Sequence, residues 1–255
     1  MPEIEAYIKL FLSYVEDFRQ GSPEDISNIE YKRGHSLRVL ENAKAIAGSL
    51  NLEPSCYRLT LLAALLHDVG RFPQYRRHKT FLDRVSENHG LAGARVLRNS
   101  GLLAGIAPDE QKIIRSAVLM HNRRHIPKYV AENVRMLTAI VRDADKLDIL
   151  PLVISNFDPA SEQNPVISLH LKPHPTAYTP TVYASVMSGC LGKYKEMHWV
   201  NDFKITLCGW VYDFNFPATR KLCIERGCID ELIQTLPETP EMTALGKKIR
   251  EKLKN

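Results

Sequence analysis

The segment Leu59-Thr-Leu-Leu-Ala-Ala-Leu-Leu-His67-Asp68-Val-Gly70 constrains the fold more than any other part of the chain. It is apolar nearly all round, the pattern of a helix buried in the middle of a domain. Pro54-Ser55 marks its start, and Gly70 is its expected stop. A helix of this kind must be covered by others, and it ends on a histidine and an aspartate.

The covering helices are legible on both sides. Ile4, Ile8, Phe11, Leu12, Val15 and Phe18 repeat at three and four, which predicts an amphipathic first helix closed by Gly21. Ser22-Pro23 is a cap followed by a first-turn proline, and a second helix runs through His35 and Leu40 to about Leu50. Residues 71–87 read as a long polar loop. Helices follow at about 88–99, 109–122 and 131–150, the last ending at Pro151. Residues 151–180 are rich in Pro, Ser, Asn and His and read as a linker; 181–254 read as helical with a Lys/Glu-rich end. There is no strand series, internal repeat or glycine-rich phosphate loop. The expected class is all-α, with a helical core over 1–150 and a linker plus C-terminal helical extension over 151–255.

Composition narrows the function classes. The 255 residues are 44% hydrophobic and 25% charged, ordinary for a soluble globular chain. No run approaches the length of a membrane span. The N-terminus lacks the basic-then-apolar layout of a signal peptide, so a cytoplasmic location is expected. Five cysteines without a CxxC pair read as reduced thiols. Part of the +5 net charge lies in two clusters, Arg71, Arg76, Arg77, His78, Lys79 and Arg123, Arg124, His125. Apart from Phe72 and Tyr75 no aromatic residues are interleaved with them, which argues against nucleic-acid binding. Solvated loops or the rim of an anionic-substrate site are the remaining readings.

A carboxylate at the end of the buried helix is costly unless a cation or hydrogen-bond donors meet it. A divalent metal is one solution, and the negative end of the helix dipole favours the same cation. The plainer reading is a helix that has just reached solvent. Other segments bear on the choice. His35 lies on the preceding helix with Arg38 one turn later, His89 opens the helix after the polar stretch, and His121 ends an apolar-periodic helix. Asp145 sits in Val141-Arg-Asp-Ala-Asp-Lys-Leu-Asp148. Singly, each is more often a satisfied boundary residue; together they suggest a metal site.

The order His35 … His67-Asp68 … Asp145, with the apolar run into His67-Asp68-Val-Gly and Ala144-Asp145-Lys-Leu-Asp near the end of the core, resembles the H…HD…D signature of the HD superfamily of metal-dependent phosphohydrolases. The resemblance covers about residues 30–150. It implies a helical bundle in which His35, His67, Asp68 and Asp145 bind a divalent transition metal (Mn, Fe, Co, Ni or Zn). His89 and His121 stand between the HD pair and the last Asp, as in members that hold two ions, with Asp68 as the bridge. The GYP stretch and tandem histidines of the cyclic-di-GMP phosphodiesterase branch are missing, and Arg71 stands where that branch has Lys. His78 and His125 read as non-ligands.

The resemblance implies hydrolysis of a phosphoester, either monoester or diester, in a small anionic substrate such as a nucleotide. Arg71 beside the helix stop and Arg38 are candidates for binding phosphate oxygens, Arg38 being equally readable as a surface charge. Lys146 either neutralises charge beside Asp145 or pairs with Asp143 or Asp148. Two alternatives stay open: a mixed-valent di-iron oxygenase with ligands in the same order, and a non-catalytic helical binding domain that has kept the site.

Overall fold

The computed structural model describes residues 2–157 and 168–254. Among them there is no strand, only an isolated bridge between Lys172 and Trp199, and the class is all-α. The chain divides into two compact units, Met1–Asp148 and Ile149–Asn255.

The first unit is laid round the apolar segment. Helix α1 (Pro2–Glu16), α2 (Pro23–Gly48) and α3 (Pro54–Leu66) pack against one another. Every residue of α3 from Leu59 to Leu66 is buried. Burial of each of its leucines contributes about 1.5–3 kcal/mol relative to exposure, which makes α3 the axis of the unit. Helix α2 begins on a capping box: Ser22 Oγ accepts from the Asp25 amide, and Asp25 accepts from the Ser22 amide. Such a cap is worth about 1 kcal/mol.

Beyond α3 the structure corrects two expectations. The helix ends at Leu66, and His67 to Gly70 form turns that lead at once into α4 (Arg71–His78). The expected polar loop therefore begins as a helix. Its composition is polar, but Phe72, Gln74 and Tyr75 are buried, and the Gln74 amide donates to Asp83, Ser86 and the Glu87 carbonyl. Polar groups satisfied inside the fold look, in a sequence, like a solvated loop.

Helix α5 (His89–Asn99) and α6 (Pro108–Met120) pack on each other, α6 also packing on α3 and α5 on α4. Gly70 lets these elements meet. A Cβ there would lie 2.3 Å from the His89 carbonyl oxygen and 2.4 Å from the Gly93 nitrogen, closer than any side chain permits. Helix α7 (Glu132–Asn156) closes the unit. It passes through Pro151, where the sequence predicted its end. The lost N–H weakens one turn, but Leu147, Leu150 and Val153 are all buried around it and hold the helical course.

The second unit contains the end of α7, then α8 (Pro180–Met187), α9 (Val200–Cys208), α10 (Pro217–Glu225), α11 (Cys228–Gln234) and α12 (Pro240–Lys254). Residues 158–167 of the linker-like stretch lie outside the described residues. Burial pushes the Cys208 and Cys223 thiols up to about 12, which keeps both protonated. No helix among the described residues is long and apolar enough to cross a membrane.

Candidate metal centre

Five helices of the first unit converge on one point. His35 comes from the middle of α2, His67 and Asp68 from the turn after α3, His89 from the first position of α5, His121 from the C-cap of α6, and Asp145 from α7. His35, His67, Asp68, His89 and His121 are buried, and Asp145 is 21% exposed. One face of α2 sets α7 in place: Asn42 donates to the Ala144 carbonyl at 3.0 Å, while His35 and Arg38 both reach Asp148.

Each histidine has its Nδ1 engaged by an acceptor. His67 Nδ1 is 2.8 Å from the Ala64 carbonyl and His121 Nδ1 is 2.7 Å from the Val118 carbonyl, each three residues back on its own helix. His35 Nδ1 lies 2.7 Å from Asp148 Oδ2, and His89 Nδ1 2.7 Å from Asp83 Oδ2. Carbonyls and carboxylates only accept, so Nδ1 carries the proton in all four rings and a neutral ring presents its Nε2 lone pair.

Those lone pairs point at each other. His35 Nε2 is 3.2 Å from His67 Nε2, and His89 Nε2 is 3.1 Å from His121 Nε2. Asp68 divides its carboxylate between the two pairs. Its Oδ2 lies 3.5 Å from His35 and 3.7 Å from His67, and its Oδ1 lies 3.6 Å from His89 and 3.7 Å from His121. Asp145 Oδ1 lies 3.1 Å from His35 Nε2, buried and without a hydrogen-bond donor. Acceptors packed against acceptors repel, and a cation among them removes the conflict. His35, His67 and Asp145 form one group with metal-ligand spacing; His67, Asp68 and His121 form another. An orphaned carboxylate oxygen beside convergent imidazole nitrogens fits a divalent transition metal.

The electrostatics differ between the two histidine pairs. Burial and Lys32 disfavour a charged His35, but Asp145 and Asp148 raise it above the ordinary histidine range. Burial, followed by Arg71, pushes His89 down to about 3 and keeps that ring neutral. Burial alone would raise Asp68, yet Lys32 and His67 hold it well below the usual carboxylate range. Arg142 of α7 donates to the His121 and Arg123 carbonyls, satisfying the end of α6 from which His121 projects.

Arg71 reaches the centre, with Nε 3.5 Å from Asp68 Oδ1, and its Nη1 donates to Gln74 and Asp83. Arg38 is forked on Asp148, with Nε at 2.6 Å and Nη2 at 3.2 Å, so its contact is with the carboxylate behind His35. Lys146 is buried beside Asp145. Three cations of the supposed rim are engaged elsewhere: Arg76 over the Phe18 ring, Arg77 with Glu87, and Lys79 with Asp25. His78 lies beside Glu87 and His125 is exposed.

Sequence reasoning missed Lys32, whose Nζ is 2.8 Å from Asp68 Oδ2, and the orienting roles of Asp148 and Asp83. Lys32 lies three positions before His35 on α2, and that i, i+3 spacing was the available signal.

Comparison with known proteins agrees with this geometry. Residues 33–150 match the HD domain family. A stretch of 119 residues is 28% identical to the "Putative phosphohydrolase YueE" of Bacillus subtilis (strain 168), covering 46% of this chain and 65% of that protein, less than two thirds of its length. No solved structure matches. The order of ligand-type residues and their convergence in one cluster agree with the match of residues 33–150 to the HD domain family.

Proposed function

We propose that this protein is a divalent-metal-dependent hydrolase of phosphoesters, acting on a small anionic substrate such as a nucleotide. The observation that carries the reading is the division of the two Asp68 oxygens between two histidine pairs, with Asp145 adding a further oxygen to the first. His35, His67, Asp68 and Asp145 would hold one ion, and Asp68, His89 and His121 a second. Divalent ions so held supply Lewis acidity toward a phosphoryl oxygen and lower the pKa of a bound water.

The rest of the work falls to the chain itself. Asp148, Asp83 and the Ala64 and Val118 carbonyls fix the Nδ1 protons and aim every Nε2 inward. Arg38 acts through Asp148, holding the carboxylate that orients His35. Arg71 presents a fixed positive charge at Asp68, and Lys146 balances charge beside Asp145.

The test is a screen of purified protein with Mn, Co, Ni and Fe against p-nitrophenyl phosphoesters and a nucleotide panel. Metal-stimulated release that chelation abolishes is the expected result. No release with any metal contradicts the reading, as do irons at both positions with oxygen uptake on adding substrate.

A further inference from the structure

The Lys32 ammonium carries three N–H donors, and Asp68 Oδ2 is its one hydrogen-bond acceptor among the described residues. Its side chain is only 11% exposed. Two donors of a nearly buried cation thus meet no acceptor among the described residues, an arrangement that is costly unless a ligand supplies one. Arg71 repeats this on the other side of Asp68. Its Nε is buried without a hydrogen-bond partner, and its Nη2 has no acceptor among the described residues.

The two cations are related through one ring and one carboxylate. Lys32 Nζ lies 5.5 Å and Arg71 Cζ 6.0 Å from the centroid of Phe81. Lys32 is on Oδ2 of Asp68, the oxygen facing His35 and His67; Arg71 is on Oδ1, facing His89 and His121. A carboxylate that already meets two protein cations leaves a surplus of positive charge once it also holds divalent ions. An anion with several acceptor oxygens offsets the surplus and the unmet donors at once.

Building on the hydrolase reading, we infer that Lys32 and Arg71 grip the non-bridging oxygens of a terminal phosphoryl group, and that the substrate class is a phosphate monoester. A monoester offers three such oxygens and a dianionic charge, enough for both cations and the ions between them. A diester offers two oxygens and a single charge.

The test is calorimetric titration of inorganic phosphate into manganese-saturated wild type, Lys32→Met and Lys32→Arg, with manganese affinity measured on each. Loss of a charge-assisted hydrogen bond predicts phosphate affinity about tenfold to a hundredfold weaker in Lys32→Met. Manganese affinity should be kept or rise, because a competing cation is gone, and Lys32→Arg should recover much of the phosphate binding. Should Lys32→Met not fold, Lys32→Gln, neutral but polar, is read in the same way. Phosphate affinity unmoved by the loss of charge overturns the inference, as does a fall in manganese affinity with phosphate binding intact at saturating metal. A wild type that turns over diesters in preference to monoesters overturns the substrate class. Wild-type hydrolysis with unmoved phosphate affinity sinks only the lysine; lysine-dependent phosphate binding with no ester hydrolysed sinks only the hydrolase.

Discussion

Asp148 shows what a sequence can and cannot reveal about single residues. The six ligand-type side chains were legible because each stands at a helix end or on an apolar helix in a recognisable order. Asp148 was legible only as a possible partner of Lys146, since its role depends on α2 and α7 lying side by side, which no local spacing encodes. It accepts from His35 Nδ1 at 2.7 Å, so Asp148→Asn should lower affinity for the ion at His35 about tenfold to a hundredfold. Competition with a chelator measures this, and unchanged affinity would mean that Asp148 orients nothing. Lys204 is a lysine whose charge the fold disfavours. It donates to the Thr235 carbonyl, and burial pulls its pKa from 10.5 down to about 8. Below that value the folded and unfolded chains are both protonated. Between about 8 and 10.5 the unfolded chain keeps a proton that the folded chain has released, so stability rises with pH across this window. Urea midpoints of wild type minus those of Lys204→Met should climb from about pH 8 upward; a flat or falling difference contradicts a depressed lysine.

Among the elements, α3 and the cap of α2 were plain from sequence because hydrophobic periodicity and capping chemistry are local. Helix α4 was not. Its eight residues include Arg71, Arg76, Arg77 and His78, and the contacts that stabilise it, the Gln74 amide network and buried Phe72, are made with distant segments. Pro151 misled for a related reason: a proline stops an isolated helix, whereas burial of the turns on either side carries α7 past it. The approach of α5 to the turn after α3 depends on Gly70. Gly70→Ala should therefore destabilise the protein by about 1–3 kcal/mol, the usual range for overpacking. It should also weaken metal binding, because His89 moves with α5. Denaturant unfolding with a parallel metal titration checks both effects, and a variant of wild-type stability would show that the turn can shift without loss.

For the molecule as a whole, the sequence points to chemistry in its first part, and all six ligand-type residues lie within Met1–Asp148. The C-terminal hundred residues carry no motif, and their helices α8 to α12 give a packed unit without naming a role for it. Short helices built on ordinary apolar spacing say how a segment folds and little about what it binds. The buried acceptors cluster in the first unit, where four imidazoles and two carboxylates face one another with orienting groups behind them. On the reading proposed above, this cluster is built for cations, with Asp68 shared between them. Metal content after loading and gel filtration, measured on wild type and His121→Gln, tests the claim most directly. Two divalent ions per chain are expected in wild type and one in the variant, where His35, His67 and Asp145 remain. A wild type that retains no ion, or a variant whose content equals that of wild type, would contradict it.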